Sequence, residues 1–355
     1  MYQLKVVCGL AAWSIALLLL LLLQLTSTQR ATCRWNCIPL SQCTKLHHLL
    51  RNPTKENIAA LQSVTCTFER DPKVCCPQSL LPRKCGDGPS LDRIIGGTPA
   101  PLGSHPWLAL LGYLRPGAQE IEFLCGGSII SELYVLTAAH CLHDSVLEGT
   151  KLSLIRLGEW NTKTDPDCEK TLQGDEKCVP PAQNFTAEEI ITHPDYNTRV
   201  QFSDDIGLIR LNKPIDLSAG IVNAICLPPQ NLDIKRISER RGSWAAGWGV
   251  TENGSVSNIL YHVGLPIVQI EQCKTFDIFS GQLVDEQICA GGRAGQDSCR
   301  GDSGGPLIMS GPQGPPFLQI GLVSYGPSPC GARPVPGVYT SISHYRNWIE
   351  NNMKP

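Results

Sequence analysis

A serine hydroxyl is a poor nucleophile unless its surroundings activate it. The run Asp297-Ser298-Cys299-Arg300-Gly301-Asp302-Ser303-Gly304-Gly305-Pro306 offers Ser303 such surroundings. Gly301 lets backbone N–H groups come close to a substrate carbonyl, and two further glycines and a proline fix the turn after the serine. Far upstream, Thr137-Ala138-Ala139-His140-Cys141 supplies an imidazole able to take a proton. Between them, Asp204-Asp205-Ile206-Gly207-Leu208-Ile209-Arg210-Leu211 places two acids at the head of an apolar strand. The chain order His, Asp, Ser is one of three unrelated orders that reach a single catalytic geometry. The chemistry would be acyl transfer: Ser303 attacks a carbonyl, and His140 takes its proton and delivers it to the leaving group.

These segments must be brought together by a fold. A length of 355 residues suggests about two domains. Only 17% of residues are charged, while 33 Gly and 27 Pro punctuate the chain, as in a turn-rich β protein. Short apolar runs at 129–136, 152–157, 206–211 and 320–323 read as strands, and no long amphipathic helix is expected before 342–352, where Tyr345, Trp348 and Ile349 have helical spacing. A net charge of −2 gives no reason to invoke nucleic acid.

Residues 6–23 are apolar, with Lys5 ahead and small polar residues behind. They read as a secretory signal peptide over 1–28, cut after Ser27, Thr28 or Ala31, with a signal anchor as the competing reading. The chain has 17 cysteines; removal of Cys8 with the signal leaves an even number, as a disulfide framework in an oxidising compartment requires. Asn184 and Asn253 begin glycosylation sequons. No membrane association is expected once the signal is gone.

Cys33, Cys37, Cys43, Cys66, Cys75 and Cys76 crowd into a segment, 33–76, too short to bury a sufficient core. Disulfides worth about 2–4 kcal/mol each would compensate, although six cysteines allow about fifteen pairings. Cys37-Ile38-Pro39-Leu40-Ser41-Gln42-Cys43 and Val74-Cys75-Cys76-Pro77 resemble the clip domain of arthropod serine proteases. The resemblance implies Cys33–Cys75, Cys37–Cys66 and Cys43–Cys76, and a docking or regulatory role. Residues 77–93, rich in Pro and Gly, read as a linker.

From Ile94 to Pro355 the chain resembles the chymotrypsin–trypsin family, on the three catalytic segments and on Arg93-Ile94-Ile95-Gly96-Gly97. The resemblance implies an all-β fold of two six-stranded antiparallel barrels with the triad His140, Asp205, Ser303 in the cleft between them. It selects Asp205 over Asp204, which is left solvated, and places the oxyanion hole at the N–H groups of Gly301 and Ser303. Cleavage after Arg93 would free the Ile94 amine to pair with Asp302 and order the site, a bistable element switched by proteolysis. Asp297 would sit at the base of the primary pocket, with Gly326 and Gly337 as its walls, selecting Arg or Lys by charge pairing. Tyr325, where the family usually has tryptophan, would alter the second subsite. The implied disulfides are Cys85–Cys226 (joining the two sides of the cut), Cys125–Cys141, Cys168–Cys178, Cys273–Cys289 and Cys299–Cys330.

The loop 157–168 concentrates oxygen ligands, of the kind calcium prefers, and resembles a calcium-binding loop of trypsin-like proteases. Glu159, Asn161, Thr164 and Asp167 are the candidate ligands for a stabilising Ca2+. Taken together, the resemblances imply a secreted zymogen of haemolymph cascades, in melanisation or Toll signalling. Its expected partners are an upstream trypsin-like activating protease, a protein substrate (a downstream zymogen, prophenoloxidase or a cytokine precursor) and a serpin. The alternatives are a catalytically silent clip-domain scaffold, which the intact triad disfavours, and a digestive trypsin, which the clip module disfavours.

Overall fold

A computed structural model describes residues 37–354 except 44–45, 47–53, 68–71, 77–79, 90–96, 171–173, 239–240, 252–253, 294–298, 300, 312–313 and 328–333. The chain divides into two compact units, Met1–Ser79 and Leu80–Pro355. The signal-peptide reading, Cys33, Arg93, Ile94, Asn253, Asp297 and Cys330 lie outside the described residues.

The first unit holds β1 (Cys37–Pro39), α1 (Lys55–Ser63), β2 (Thr65–Thr67) and β3 (Lys73–Cys75). The strands form an antiparallel sheet ordered β1-β3-β2. The Thr54 hydroxyl accepts the Asn57 N–H and so caps α1, satisfying one of its orphan donors. Leu40, Cys43, Leu46, Leu61 and Val74 make up a small core. Cys37–Cys66 and Cys43–Cys76 staple it, and Cys75 is disulfide-bonded as well.

The second unit begins with β4 (Thr98–Pro99), β5 (Leu108–Leu114), β6 (Ile121–Ser131), β7 (Tyr134–Thr137), β8 (Lys151–Leu157), β9 (Cys168–Lys170), β10 (Glu176–Cys178), β11 (Gln183–Phe185), β12 (Ala187–Thr192) and β13 (Gly207–Leu211). It continues with β14 (Ser243–Gly247), β15 (Tyr261–Gly264), β16 (Ile267–Val268), β17 (Gln287–Gly291), β18 (Pro306–Gly311), β19 (Gly314–Tyr325), β20 (Pro336–Ser341) and a closing helix, α2 (Ile342–Asn352). One curled antiparallel sheet has seven strands, β11-β8-β5-β6-β7-β13-β12, and the other eight, β16-β17-β20-β19-β18-β14-β15-β4. These two half-barrels carry more strands than the six expected of each. The additions are edge strands of two or three residues, β11, β4 and β16.

Each sheet wraps its own core. Leu111, Tyr113, Ile129, Val135 and Ile155 fill the first, and Leu307, Met309, Ile320 and Tyr339 the second. A third cluster lies between the sheets and includes Trp107, Ile130, Leu208, Ile308, Phe317 and Leu322. Ile342, Tyr345 and Ile349 of α2 pack into it; their spacing puts them on one helix face, and each buried side chain is worth roughly 1.5–3 kcal/mol. Residues 80–88, read from composition as linker, lie on this second unit. Cys85 is bonded to Cys226, Gly86 exchanges backbone hydrogen bonds with Ala224 and Phe317, and Leu80 and Leu81 pack against the inter-sheet core.

A buried histidine pair joins the segment after β4 to β15: His105 Nε2 and His262 Nδ1 are 3.0 Å apart. Burial, with some repulsion from His262, lowers the His105 pKa to about 3, and burial lowers that of His262 as well. A folded-state pKa below the unfolded value of 6.5 means that the unfolded chain binds the extra proton. Stability is therefore full above pH 6.5 and is lost as pH falls toward 3, by several kcal/mol. Urea unfolding between pH 7 and 4 should show that loss, and His105→Gln should flatten it; a parallel slope in the variant would count against the histidine origin.

Candidate active site

β7 ends at Thr137, and a single 3-10 turn, Ala139–Cys141, projects the imidazole of His140. That turn is fastened by the Cys125–Cys141 disulfide and by the Tyr113 hydroxyl, which donates to the Cys141 carbonyl at 2.8 Å. Asp205 stands immediately before Ile206 and β13, fully buried. Its carboxylate accepts the His140 backbone N–H at 2.9 Å, His140 Nδ1 at 2.8 Å and the Ser324 hydroxyl at 2.5 Å. The Thr340 hydroxyl donates to the Asp205 carbonyl at 2.8 Å. An anion taken out of water needs such satisfaction on every side. Burial works to lower the His140 pKa, but the Asp205 charge and hydrogen bond outweigh it, and the net shift is upward. With Nδ1 engaged by the carboxylate, Nε2 is the ring nitrogen left for proton transfer.

Ser303 sits on the turn that leads into β18. Its carbonyl accepts the Gly126 N–H from β6 at 2.8 Å and lies 3.6 Å from the Cys141 sulfur, beside His140 in the chain. Gly304 follows with φ 74°, and a Cβ there would lie 2.1 Å from Thr137 Oγ1. Only glycine lets the nucleophile's turn approach the turn that bears the histidine this closely. Gly301, at φ 101°, takes the other left-handed position. Among the described residues neither the Gly301 N–H nor the Ser303 N–H donates within the protein, whereas those of Asp302, Gly304 and Gly305 do. Two undirected donors beside a serine form the arrangement that stabilises an oxyanion. Asp302 turns inward, accepting from Gly249 N at 2.8 Å and Cys299 N at 2.9 Å.

Gly326 and Gly337 face one another, a Cβ on the former lying 3.5 Å from the latter's Cα, so this wall carries no side chains. Tyr325 stacks on Phe202 at 5.0 Å, and the Phe202 and His140 rings meet at 82° with their centroids 5.8 Å apart. The sequence does not single out Phe202; φ of 60° in a loop carries no compositional signal. Asp204, expected in water, is instead 6% exposed and bound by Arg199 and the Tyr345 hydroxyl. The remaining disulfides described are Cys168–Cys178 and Cys273–Cys289, and Cys299 is also disulfide-bonded. Asn184 is exposed on β11.

In the acidic loop, Glu159 and Asp167 are 7% and 4% exposed. Burial raises the Glu159 pKa; Arg156 opposes the rise and neighbouring Asp167 adds to it. Arg156 bonds Glu159 at 2.5 Å and Asp165 at 2.9 Å, so one guanidinium faces two carboxylates. The Asn161 side chain accepts the Lys163 N–H and the Thr164 hydroxyl donates to Asp167, so these two side chains serve the loop itself. Backbone donors also reach the two buried acids, Trp160 N–H to Glu159 at 3.0 Å and Trp160 and Asn161 N–H to Asp167 at 2.9 Å.

The chain matches the family described as Trypsin over residues 94–349 and that described as Regulatory CLIP domain of proteinases over 35–76. It is 39% identical to CLIP domain-containing serine protease HP8 of Bombyx mori, covering 90% of this chain and 91% of the relative. It is 37% identical to Phenoloxidase-activating factor 1 of Holotrichia diomphalia (90% and 91% covered) and 33% identical to the Spaetzle-processing enzyme of Drosophila melanogaster (92% and 91%). Among solved structures, that of the Drosophila Grass clip serine protease of the Toll pathway aligns with TM-score 0.66 at 32% identity, over 92% of this chain and 98% of that one.

Because His140 acts as a base only when neutral and its pKa is raised, kcat/KM on an ester substrate should fall as pH drops through a value above 6.5. Asp205→Asn should lower kcat about 10⁴-fold and move that limb to lower pH, since burial then acts alone. An unmoved limb would deny that the pair sets the imidazole.

Proposed function

Since the chain belongs to the CLIP-domain serine proteases of the trypsin family, we propose that it is a secreted zymogen, activated by cleavage after Arg93, that then cuts a protein substrate after Arg or Lys. The observation carrying this reading is the buried Asp205–His140 bond together with a Ser303 whose own N–H and that of Gly301 find no acceptor among the described residues. Asp297 supplies the charge for a cationic side chain, and the facing glycines Gly326 and Gly337 leave room for its stem. The Phe202–Tyr325 stack narrows the subsite next to the imidazole, so a small residue before the scissile Arg or Lys suits it. Relatives named for phenoloxidase activation and Spaetzle processing support a place in an extracellular melanisation or Toll cascade, with a zymogen or cytokine precursor as substrate and a serpin as inhibitor.

The test is peptidase activity on Arg, Lys and Phe chromogenic peptides before and after limited proteolysis, with Ser303→Ala as control and the product N-termini sequenced. Activity is expected only with an Ile94 N-terminus and only on Arg or Lys. Cleavage at Arg93 without activity would instead support a silent scaffold.

A stabilising Ca2+ is part of the same proposal, held by Glu159 and Asp167 and neutralising their loop with no catalytic part. Calcium over EDTA should raise Tm by several degrees, and Asp167→Asn should abolish the rise. An identical Tm in EDTA and calcium would remove the ion from the account.

A further inference from the structure

Asp204 is a buried carboxylate one residue before the catalytic acid, in the left-handed region with φ 54°. Arg199 grips both of its oxygens, with Nε at 3.1 Å from Oδ2 and Nη2 at 3.0 and 2.9 Å from Oδ1 and Oδ2. The Tyr345 hydroxyl of α2 donates to Oδ1 at 2.8 Å, and His193 Nδ1 stands 4.0 Å away. The other arm of the guanidinium, Nη1, reaches Glu286 at 3.1 and 3.2 Å. Glu286 precedes β17 in the second sheet, and its backbone carbonyl accepts the Ser341 N–H at the end of β20. The network borders a cleft of about 460 Å³ lined also by His193, His344 and Trp348.

The backbone gives this network its reach. The Asp204 carbonyl accepts the Ile206 N–H at 2.9 Å, a tight turn with Asp205 at its centre. The loop ahead is braced on itself, Asn197 N to Ser203 O at 2.9 Å and Arg199 N to Ser203 Oγ at 3.3 Å. Asp204 and Asp205 share the peptide inside this turn, so the clamp on the Asp204 side chain and the placement of Asp205 are joined through one backbone unit.

We propose that Arg199 is a positioning residue for the reaction: its guanidinium, forked between Asp204 and Glu286, holds the Asp205 peptide in register with His140. The inference rests on the endopeptidase reading above. The hydrogen-bond partners of the Arg199 side chain among the described residues are Asp204 and Glu286, not the triad, and the side chain is 43% exposed. An arginine suits the place because its planar fork meets two carboxylates at once, which an ammonium does not. Small misplacements of catalytic groups have large kinetic effects, about a hundredfold for 1 Å.

The experiment uses the activated full chain with Arg199→Gln and Arg199→Lys. The readouts are kcat and KM on an Arg peptide substrate, Tm, and the downfield proton NMR resonance of the His140 Nδ1–H. Arg199→Gln should lower kcat about tenfold with KM within about twofold, and the Nδ1–H resonance should shift or broaden at temperatures where the variant is fully folded. Arg199→Lys, which keeps the charge without the fork, should fall between, with kcat reduced about threefold. Should the glutamine variant fail to fold, the lysine variant decides alone. Wild-type kcat in the folded variants, or a loss that tracks only the unfolded fraction while the Nδ1–H resonance is unchanged, would overturn the proposal. A wild-type chain with no activity after cleavage would sink the endopeptidase reading instead, and the resonance would still decide the role of Arg199.

Discussion

The burial of the Asp205 carboxylate is the constraint around which the rest of this unit is arranged. An ionised acid with no exposed surface is tolerated only where donors converge on it. Here the donors come from both sheets: the turn after β7 supplies two from His140, and Ser324 at the end of β19 supplies a third. Thr340 of β20 holds the same residue by its carbonyl. Neither half-barrel alone could satisfy this charge. Docking of the sheets thus brings these donors to Asp205, and the inter-sheet core of Trp107, Leu208 and Ile308 packs between the two sheets that supply them.

The nucleophile is placed by a different means. Its side chain is positioned through backbone: carbonyl to Gly126, the next N–H to Val323, and a glycine against Thr137 where any Cβ would collide. Hydrogen bonds of this kind contribute only about 0.5–1.5 kcal/mol each, yet they fix direction, which matters more here than strength. The small N-terminal unit is held differently again. The core described there, around Leu40, Cys43, Leu46, Leu61 and Val74, is slight for its length, and covalent bonds add to what packing supplies.

Much of this is legible in the order of the amino acids. The catalytic segments announce themselves because the chemistry needs particular residues at particular separations, and α2 because a helix must repeat its apolar face. Asp204 reads as solvated for a physical reason. Nothing in the spacing shows that Arg199, five residues earlier, turns back onto it, and its other partner, Tyr345, stands 141 residues away. The histidine pair is hidden likewise, by a separation of 157 residues. Residues 80–88 look like a tether because Pro82, Gly86 and Gly88 punctuate them without apolar periodicity, yet Gly86 docks by backbone hydrogen bonds, to which composition is blind. The three added edge strands are too short to show an alternation.

The Cys85–Cys226 bond, whose ends are 141 positions apart in sequence, makes this stretch of the chain a closed ring. A ring responds to a single cut unlike a thread: it opens, and nothing leaves. Any nick between these cysteines creates two new termini while composition, mass but for one water, and stoichiometry stay the same. The severed ends remain at a fixed effective concentration however dilute the surroundings. The topology thereby turns proteolysis, ordinarily a means of taking molecules apart, into a change of connectivity within one molecule.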